Sequence, residues 1–404
     1  MATPVYDVVV VGAGLMGSAA AYYAAKEGKR VLLLEQFELL HGNGSSHGTS
    51  RIFRVAYPSD TYTELCLTSL ELWRDIEKEA GVELIRMTGE LDFAFERLDD
   101  LVLLEKTLKK YKVPFETLTG AQVNQRFPGF SLPDNSHAMY NPTAGVLNPT
   151  LAMATMQKLA KGLGAEISER SPVNGIVSEQ QTGGDILAII TLADGTEVRG
   201  HQCIVTAGAW TNKVLKRSEA DNVKLQPIAT FGTYWRCKQE LYAPDKFPVF
   251  IKYGYPEIYG LPMMNPEEGV KICRHDGPNV NPDARQGVVQ PAAEKEHLQN
   301  FVAENFSQVD SSAPNQVDDC MYTMTEDANF LIDFLPIPSS EGPTFAVKEV
   351  VVGAGFSGHG AKMTPVIGQM LADLALKGVT RQHPKGFHLS RKVSPLENHS
   401  FPKL

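Results

Sequence analysis

Three apolar runs in this chain each end in a glycine-rich break. Val8-Val9-Val10-Val11 reads as a buried parallel strand, Leu15 to Glu27 as a helix and Val31-Leu32-Leu33-Leu34 as a second strand. Cys203-Ile204-Val205-Thr206 runs into Ala207-Gly208-Ala209-Trp210. Near the end, Glu349-Val350-Val351-Val352 runs into Gly353-Ala354-Gly355-Phe356-Ser357-Gly358-His359-Gly360, and a helix follows from about Met363 to Lys377, with Pro365 tolerated in its first turn. Residues 62–80 read as an amphipathic helix, 98–111 as a charged helix and Gly89 to Phe95 as a strand. Asn148 or Thr150 caps a helix that reaches about Leu163. Residues 166–206 read as short strands, and 225–320 as aromatic and β-branched segments suited to a mostly antiparallel sheet. One doubly wound α/β domain built from the three strand–glycine elements leaves insertions near 85–146 and 220–322 for a second domain.

The first break carries chemistry. In Gly12-Ala13-Gly14-Leu15-Met16-Gly17, the first glycine allows a tight turn and the second lets backbone approach a pyrophosphate. The third lets the helix pack close, and that helix offers its N-terminus to phosphate. Glu35, at the end of the second strand, stands where a carboxylate accepts hydrogen bonds from a ribose diol. These residues predict a dinucleotide site without choosing between FAD and NAD.

Composition narrows the classes. A chain of 404 residues exceeds the usual single-core size, so two domains are expected. The net charge is −9 and no Lys/Arg block occurs, which removes the electrostatic case for nucleic acid. No apolar run is long enough to span a bilayer, and the first strand starts too early to leave room for a secretory signal. Five scattered cysteines predict a reducing compartment and neither a disulfide framework nor a metal site. The chain ends in Pro402-Lys403-Leu404, one residue from the peroxisomal address Ser-Lys-Leu. That predicts recognition by the peroxisomal import receptor, with the cytoplasm as the alternative location.

At Gly44-Ser45-Ser46-His47-Gly48, Cys320-Met321-Tyr322-Thr323 and Gly355 to Gly360, the chain resembles the monomeric sarcosine oxidase family of flavoenzymes, and within it the peroxisomal sarcosine/L-pipecolate oxidases. The resemblance runs from the first strand to about residue 376. It implies a glutathione-reductase-type, D-amino-acid-oxidase-like FAD domain from 1–84, 147–219 and 323–395. A substrate domain of mostly antiparallel sheet plus helices would take 85–146 and 220–322, and 396–404 would be a tail. It further implies a monomer that oxidises a secondary amino acid with oxygen to an imine and hydrogen peroxide.

Residue by residue, the resemblance implies FAD attached covalently through Cys320, and carboxylate binding by Arg54 and Lys362. Arginine grips a carboxylate through two hydrogen bonds and lysine adds a point charge. Lys271 would promote reaction with oxygen, because a fixed cation stabilises a nascent anion. A strand there turns Lys271, Cys273 and His275 to one face. His275, Arg51 and Tyr259 would be catalytic, with Tyr322 and His359 lining the substrate pocket. Ser45, Ser46, His47, Ala207, Gly208, Trp210, Gly355, Gly358 and Gly360 would join the first glycine motif and Glu35 around FAD. Met263 and Met264 are candidates for the pocket's far end but read equally as core. Two alternatives stand beside the oxidase: a dehydrogenase passing electrons to a quinone or carrier, which Lys271 opposes, and a non-catalytic flavoprotein.

Overall fold

The computed structural model describes residues 4–391 except 97, 216–223, 336, 340–341 and 346–348. Its larger sheet has ten strands. The centre is parallel: Glu166–Ser168, Val31–Leu34, Val5–Val11, Glu197–Val205 and Val350–Ala354 lie side by side. The three apolar runs thus meet in one sheet although they lie far apart in sequence. Thr206 stitches two of them, donating its hydroxyl to the Val11 and Gly12 carbonyls.

Strand alternation decides what covers the sheet. Val8 and Val10 face a cluster built with the helices Leu15–Lys26, Pro149–Gly162 and Thr364–Lys377. Val9 and Val11 face the other way, into a cluster with Ile176, Ala188 and Ile190 of the antiparallel strands Val173–Gln180 and Ile186–Leu192. The expected doubly wound arrangement is corrected here. Helices pack on one face, and among the described residues only the short helix Thr211–Val214 and Leu215 after it add a helical segment to the other. The reason is that residues 173–192 alternate as a hairpin and supply the apolar cover that a helix would have given.

Gly17 lies where the opening helix crosses the first strand; a Cβ there would sit 1.8 Å from the Gly12 carbonyl oxygen. Asn148 caps the helix at 149–162, accepting from the Leu151 amide. The second sheet has eight strands, Gln316–Met324, Gln226–Trp235, Val270–Arg274, Ile258–Leu261, Val249–Lys252, Glu90–Ala94, His137–Asn141 and Glu116–Thr119, in that order. It is antiparallel except between Val249–Lys252 and Glu90–Ala94. One face is an aromatic core in which Phe130 stacks on Phe247 at 4.5 Å. The helix Ala292–Asn305, absent from the sequence reading of this region, covers that core with Leu298, Phe301 and Val302. Met263 belongs to the same cluster and Met264 packs on the large helical core, so both are core residues. A three-stranded sheet pairs Ala144–Leu147 with Arg51–Arg54 and Ile85–Met87.

Candidate active site

A groove follows the carboxyl ends of the parallel strands. Gly12, Gly14, Leu15, Met16, Glu35, Ser45, Ser46, Arg51, Ala207, Gly208, Trp210, Tyr322, Gly355, Gly358 and Gly360 line it. Gly17 does not line the groove; it is buried behind Gly12, where close packing requires it. The helix opens without a side-chain cap at Gly14, and Ser46 Oγ accepts from the Leu15 amide at 3.1 Å. Its remaining first-turn amides are suited to phosphate oxygens. Glu35 accepts from the Ala13 and Phe37 amides at 2.9 and 3.0 Å. Burial pushes its carboxyl up, but His41 and those two amides outweigh burial and hold it below the usual range.

The groove fits FAD on structural grounds. A Cβ on Gly14 would lie 3.0 Å from Ser46 Oγ, and a Cβ on Gly358 would lie 2.6 Å from the Tyr322 ring. Thr323 Oγ1, on the groove wall, is buried with no hydrogen-bond partner among the described residues. Buried polar atoms of that kind are satisfied by a bound group.

A second cavity adjoins the groove, and Arg51, Tyr322, Gly358 and Ala361 line both. His47, Arg54, Glu257, Tyr259, Lys271, His275, Cys320, His359 and Lys362 also face it. Each enters by a simple device. Val270 and Ile272 point into the aromatic core, so the alternate residue Lys271 points into the cavity with His275 just past the strand end. The strand Arg51–Arg54 brings both arginines, and the turn after Ala354 brings His359 and Lys362.

Arg51 lies 3.5 Å from the Cys320 sulfur and donates to the Ser45, His47 and Ser50 carbonyls. Burial raises the Cys320 thiol, but Arg51, followed by His47 and Lys271, brings it down to about 6. It is a thiolate at neutral pH. Cys66, where burial outweighs Lys362 and Arg54, and Cys203, raised by burial alone, are pushed up to about 12. Lys271 is buried with its Nζ 5.0 Å over the Tyr234 ring, and burial and then Arg51 lower its pKa.

His275 Nδ1 is 3.1 Å from the Tyr322 hydroxyl, which lies 3.5 Å from that of Tyr259. Burial, Lys362 and Arg54 depress His275 to about 3, so it is neutral. Lys362 donates to Tyr57 Oη and the His359 carbonyl, both at 3.0 Å. Tyr57 in turn contacts His359 Nδ1 at 3.3 Å, and His359 Nε2 is 3.1 Å from the Ala328 carbonyl. Burial, then Arg54, lowers Lys362 to about 8.

Arg54 holds its guanidinium 4.2 Å over the Tyr57 ring and donates to the Tyr253 hydroxyl at 3.0 Å. Behind it stand two acids, Glu90 at 3.7 Å and Asp92 at 3.6 Å, each fully buried. Sequence reasoning missed Tyr57, Glu90, Asp92, Tyr253 and Glu257. Glu90 and Asp92 alternate with Leu91 and Phe93, a pattern that normally marks a solvent face; the strand is instead buried on both sides. Tyr253 and Glu257 flank a Gly-Tyr-Pro turn and carry no motif.

A family described as FAD dependent oxidoreductase matches residues 7–374. A probable sarcosine oxidase of Arabidopsis thaliana is 37% identical over 378 residues, covering 92% of this chain and 88% of the relative. The peroxisomal sarcosine oxidase of Homo sapiens is 32% identical and covers 96% of each chain. Among solved structures, the open form of NikD, an unusual amino acid oxidase essential for nikkomycin biosynthesis, aligns with a TM-score of 0.79 at 24% identity, over 96% of this chain and 98% of that one.

Proposed function

From the premise that this chain belongs to the FAD-dependent oxidoreductases, and among them to the sarcosine oxidase family, we propose that it oxidises a secondary amino acid with oxygen. The substrate carbon–nitrogen bond loses two electrons and two protons to become an imine, and oxygen gains both to become hydrogen peroxide. FAD, when bound, supplies the two-electron chemistry that links the two halves. Sarcosine, L-pipecolate and related N-alkyl or cyclic amino acids form the substrate class.

One observation carries the reading: two buried cations, Arg54 and Lys362, face a cavity that opens onto the dinucleotide groove. They hold the substrate carboxylate by charge-assisted hydrogen bonds. The same positive field disfavours a protonated amine, so the reacting nitrogen is bound neutral. Neutral His275 adds no further cation, and its ring with Tyr259 and Tyr322 orients the amine. Lys271, held in place by burial, stabilises the negative charge that develops on oxygen. Arg51 keeps Cys320 ionised; with FAD bound, that thiolate would be the nucleophile for a thioether at the flavin 8-methyl carbon, which would lose a proton while the flavin ring took up the electron pair and oxygen then reoxidised it.

The division into a cofactor domain and a substrate domain belongs to this reading. It is supported by the separation of the ten- and eight-stranded sheets, with the groove against one and the second cavity against the other. The protein acts as a monomer, and Pro402-Lys403-Leu404 addresses it to peroxisomes through the import receptor; that tripeptide lies outside the described residues. Peroxide measured per substrate consumed, across a panel of secondary amino acids, tests the function. Stoichiometric peroxide is expected, and substrate consumed without peroxide would turn the reading to a dehydrogenase. Acid precipitation tests the thioether: colour stays with the protein, and Cys320→Ala releases it.

A further inference from the structure

Two acidic residues, Asp318 and Glu257, line this cavity. Glu90 and Asp92 stand behind Arg54, outside that lining, where burial pushes both carboxyls up. Asp318 accepts from the Gln316 side-chain amide at 2.8 Å; Glu257 is different. Among the described residues its carboxylate has neither a hydrogen bond nor an ion pair within 4 Å. The cations around it are engaged elsewhere. Lys252 Nζ donates to the Gly254 and Pro256 carbonyls, both at 3.2 Å. Lys362 is tied to Tyr57 and the His359 carbonyl, and Arg54 to Tyr253. Backbone fixes the position: Glu257 precedes the strand Ile258–Leu261 and its carbonyl accepts from the His275 amide at 3.0 Å.

Resting on the reading of this cavity as a secondary amino acid site, we propose that Glu257 receives a second positive charge on the substrate. The substrate class is a basic secondary amino acid, with an ammonium or guanidinium on the nitrogen substituent or on the α-carbon arm. Glu257 is half-buried, and burial pushes its carboxyl up to about 7, so a substrate ammonium docking beside it favours the ionised form. Sarcosine, with only a methyl group, leaves Glu257 unmatched. The buried cations favour a substrate carboxylate at one point of the cavity, and Glu257 favours a cation at another. The site therefore discriminates by charge pattern as well as by size.

Thioether acids test this on the holoenzyme without turnover, because sulfur replaces the reacting nitrogen. Two isosteric pairs are compared by titration calorimetry. One is (3-aminopropylthio)acetate against (butylthio)acetate; the other is 6-amino-2-(methylthio)hexanoate against 2-(methylthio)heptanoate. In at least one pair the ammonium ligand should bind about tenfold or more tightly than its neutral partner. Glu257→Gln, equal in size, should bring that ratio to within about twofold while the neutral ligand keeps its Kd and the variant keeps its flavin. Equal binding within both pairs would overturn the proposal, as would a ratio that survives the substitution. If the ratio survives while anaerobic reduction by sarcosine slows and loses its pH dependence, Glu257 is instead the group that takes the amine proton. The underlying reading fails separately: (methylthio)acetate would not bind, and no secondary amino acid would yield peroxide.

Discussion

Charge at Cys320 and Lys362 is set by neighbours, and each setting has a measurable consequence. Because Arg51 is the chief group holding Cys320 down at about 6, Arg51→Gln should move the thiol back toward its ordinary value of 9.0. Apoprotein alkylated at pH 7 should label quickly at Cys320, and Arg51→Gln should label severalfold more slowly; peptide mass spectrometry gives both rates. Cys66 and Cys203, pushed up to about 12, should stay unlabelled. Lys362, at about 8, is charged below that pH and neutral above it. Affinity for a substrate carboxylate is therefore full on the acid side and falls as pH rises through 8. The Kd of (methylthio)acetate should increase from pH 7 to pH 9, and Lys362→Met should flatten that rise. A rise of the same size in the variant would move the titration to another group. Lys271 acts on the other half-reaction. Removing one preorganised charge-stabilising group costs about 2.7–4 kcal/mol of barrier, roughly a hundred- to a thousand-fold. In Lys271→Met, stopped-flow reoxidation should fall by that factor while anaerobic reduction by substrate largely survives. Residues next to a glycine motif were legible in the sequence, because backbone approaching a cofactor constrains the type at each position. Glu90, Asp92 and Tyr253 were not, because only tertiary packing places them beside Arg54, and Glu257 reaches the cavity the same way.

Helix and strand identities followed from periodicity wherever an element has one apolar face. The helix expected over 62–80 runs Asp60–Ala80, and that expected over 98–111 runs Asp99–Lys110. Periodicity does not reveal partners, so the hairpin at 173–192 replaced helices on one face of the large sheet. The helix Ala292–Asn305 has a weakly segregated face of four buried residues and disappeared into a region read as strands. Contact between elements is close where the opening helix meets the helix Thr364–Lys377. A Cβ on Gly368 would lie 2.3 Å from Ala19 Cβ. Gly368→Val must push the two helices apart, and overpacking of this kind costs about 1–3 kcal/mol. The urea midpoint should drop accordingly. An unchanged midpoint would mean that the helices separate freely at this crossing.

Taken as a whole, the molecule gathers its charged site from every sheet. Arg51 and Arg54 come from the three-stranded sheet and Lys271 and Cys320 from the eight-stranded one, while Lys362 follows the last strand of the ten-stranded sheet. A ligand there binds a composite surface and stabilises the assembled state. At a hundred times its Kd, (methylthio)acetate should add about 2.7 kcal/mol to the unfolding free energy. Calorimetry should show one transition moving upward; two transitions, of which only one moves, would mean that the sheets unfold independently. The place of the strand Val350–Ala354 also matters during synthesis. It pairs with Cys203–Val205, so that side of the central strand waits while the whole intervening segment is made. A growing chain stalled before Val350 carries an unpaired apolar edge and lacks the glycine turn that closes the groove. Such an edge is a template for aggregation. Cofactor capture is therefore a late event on the ribosome: chains stalled before Val350 should recruit chaperone, and only those extended past the final helix should retain flavin.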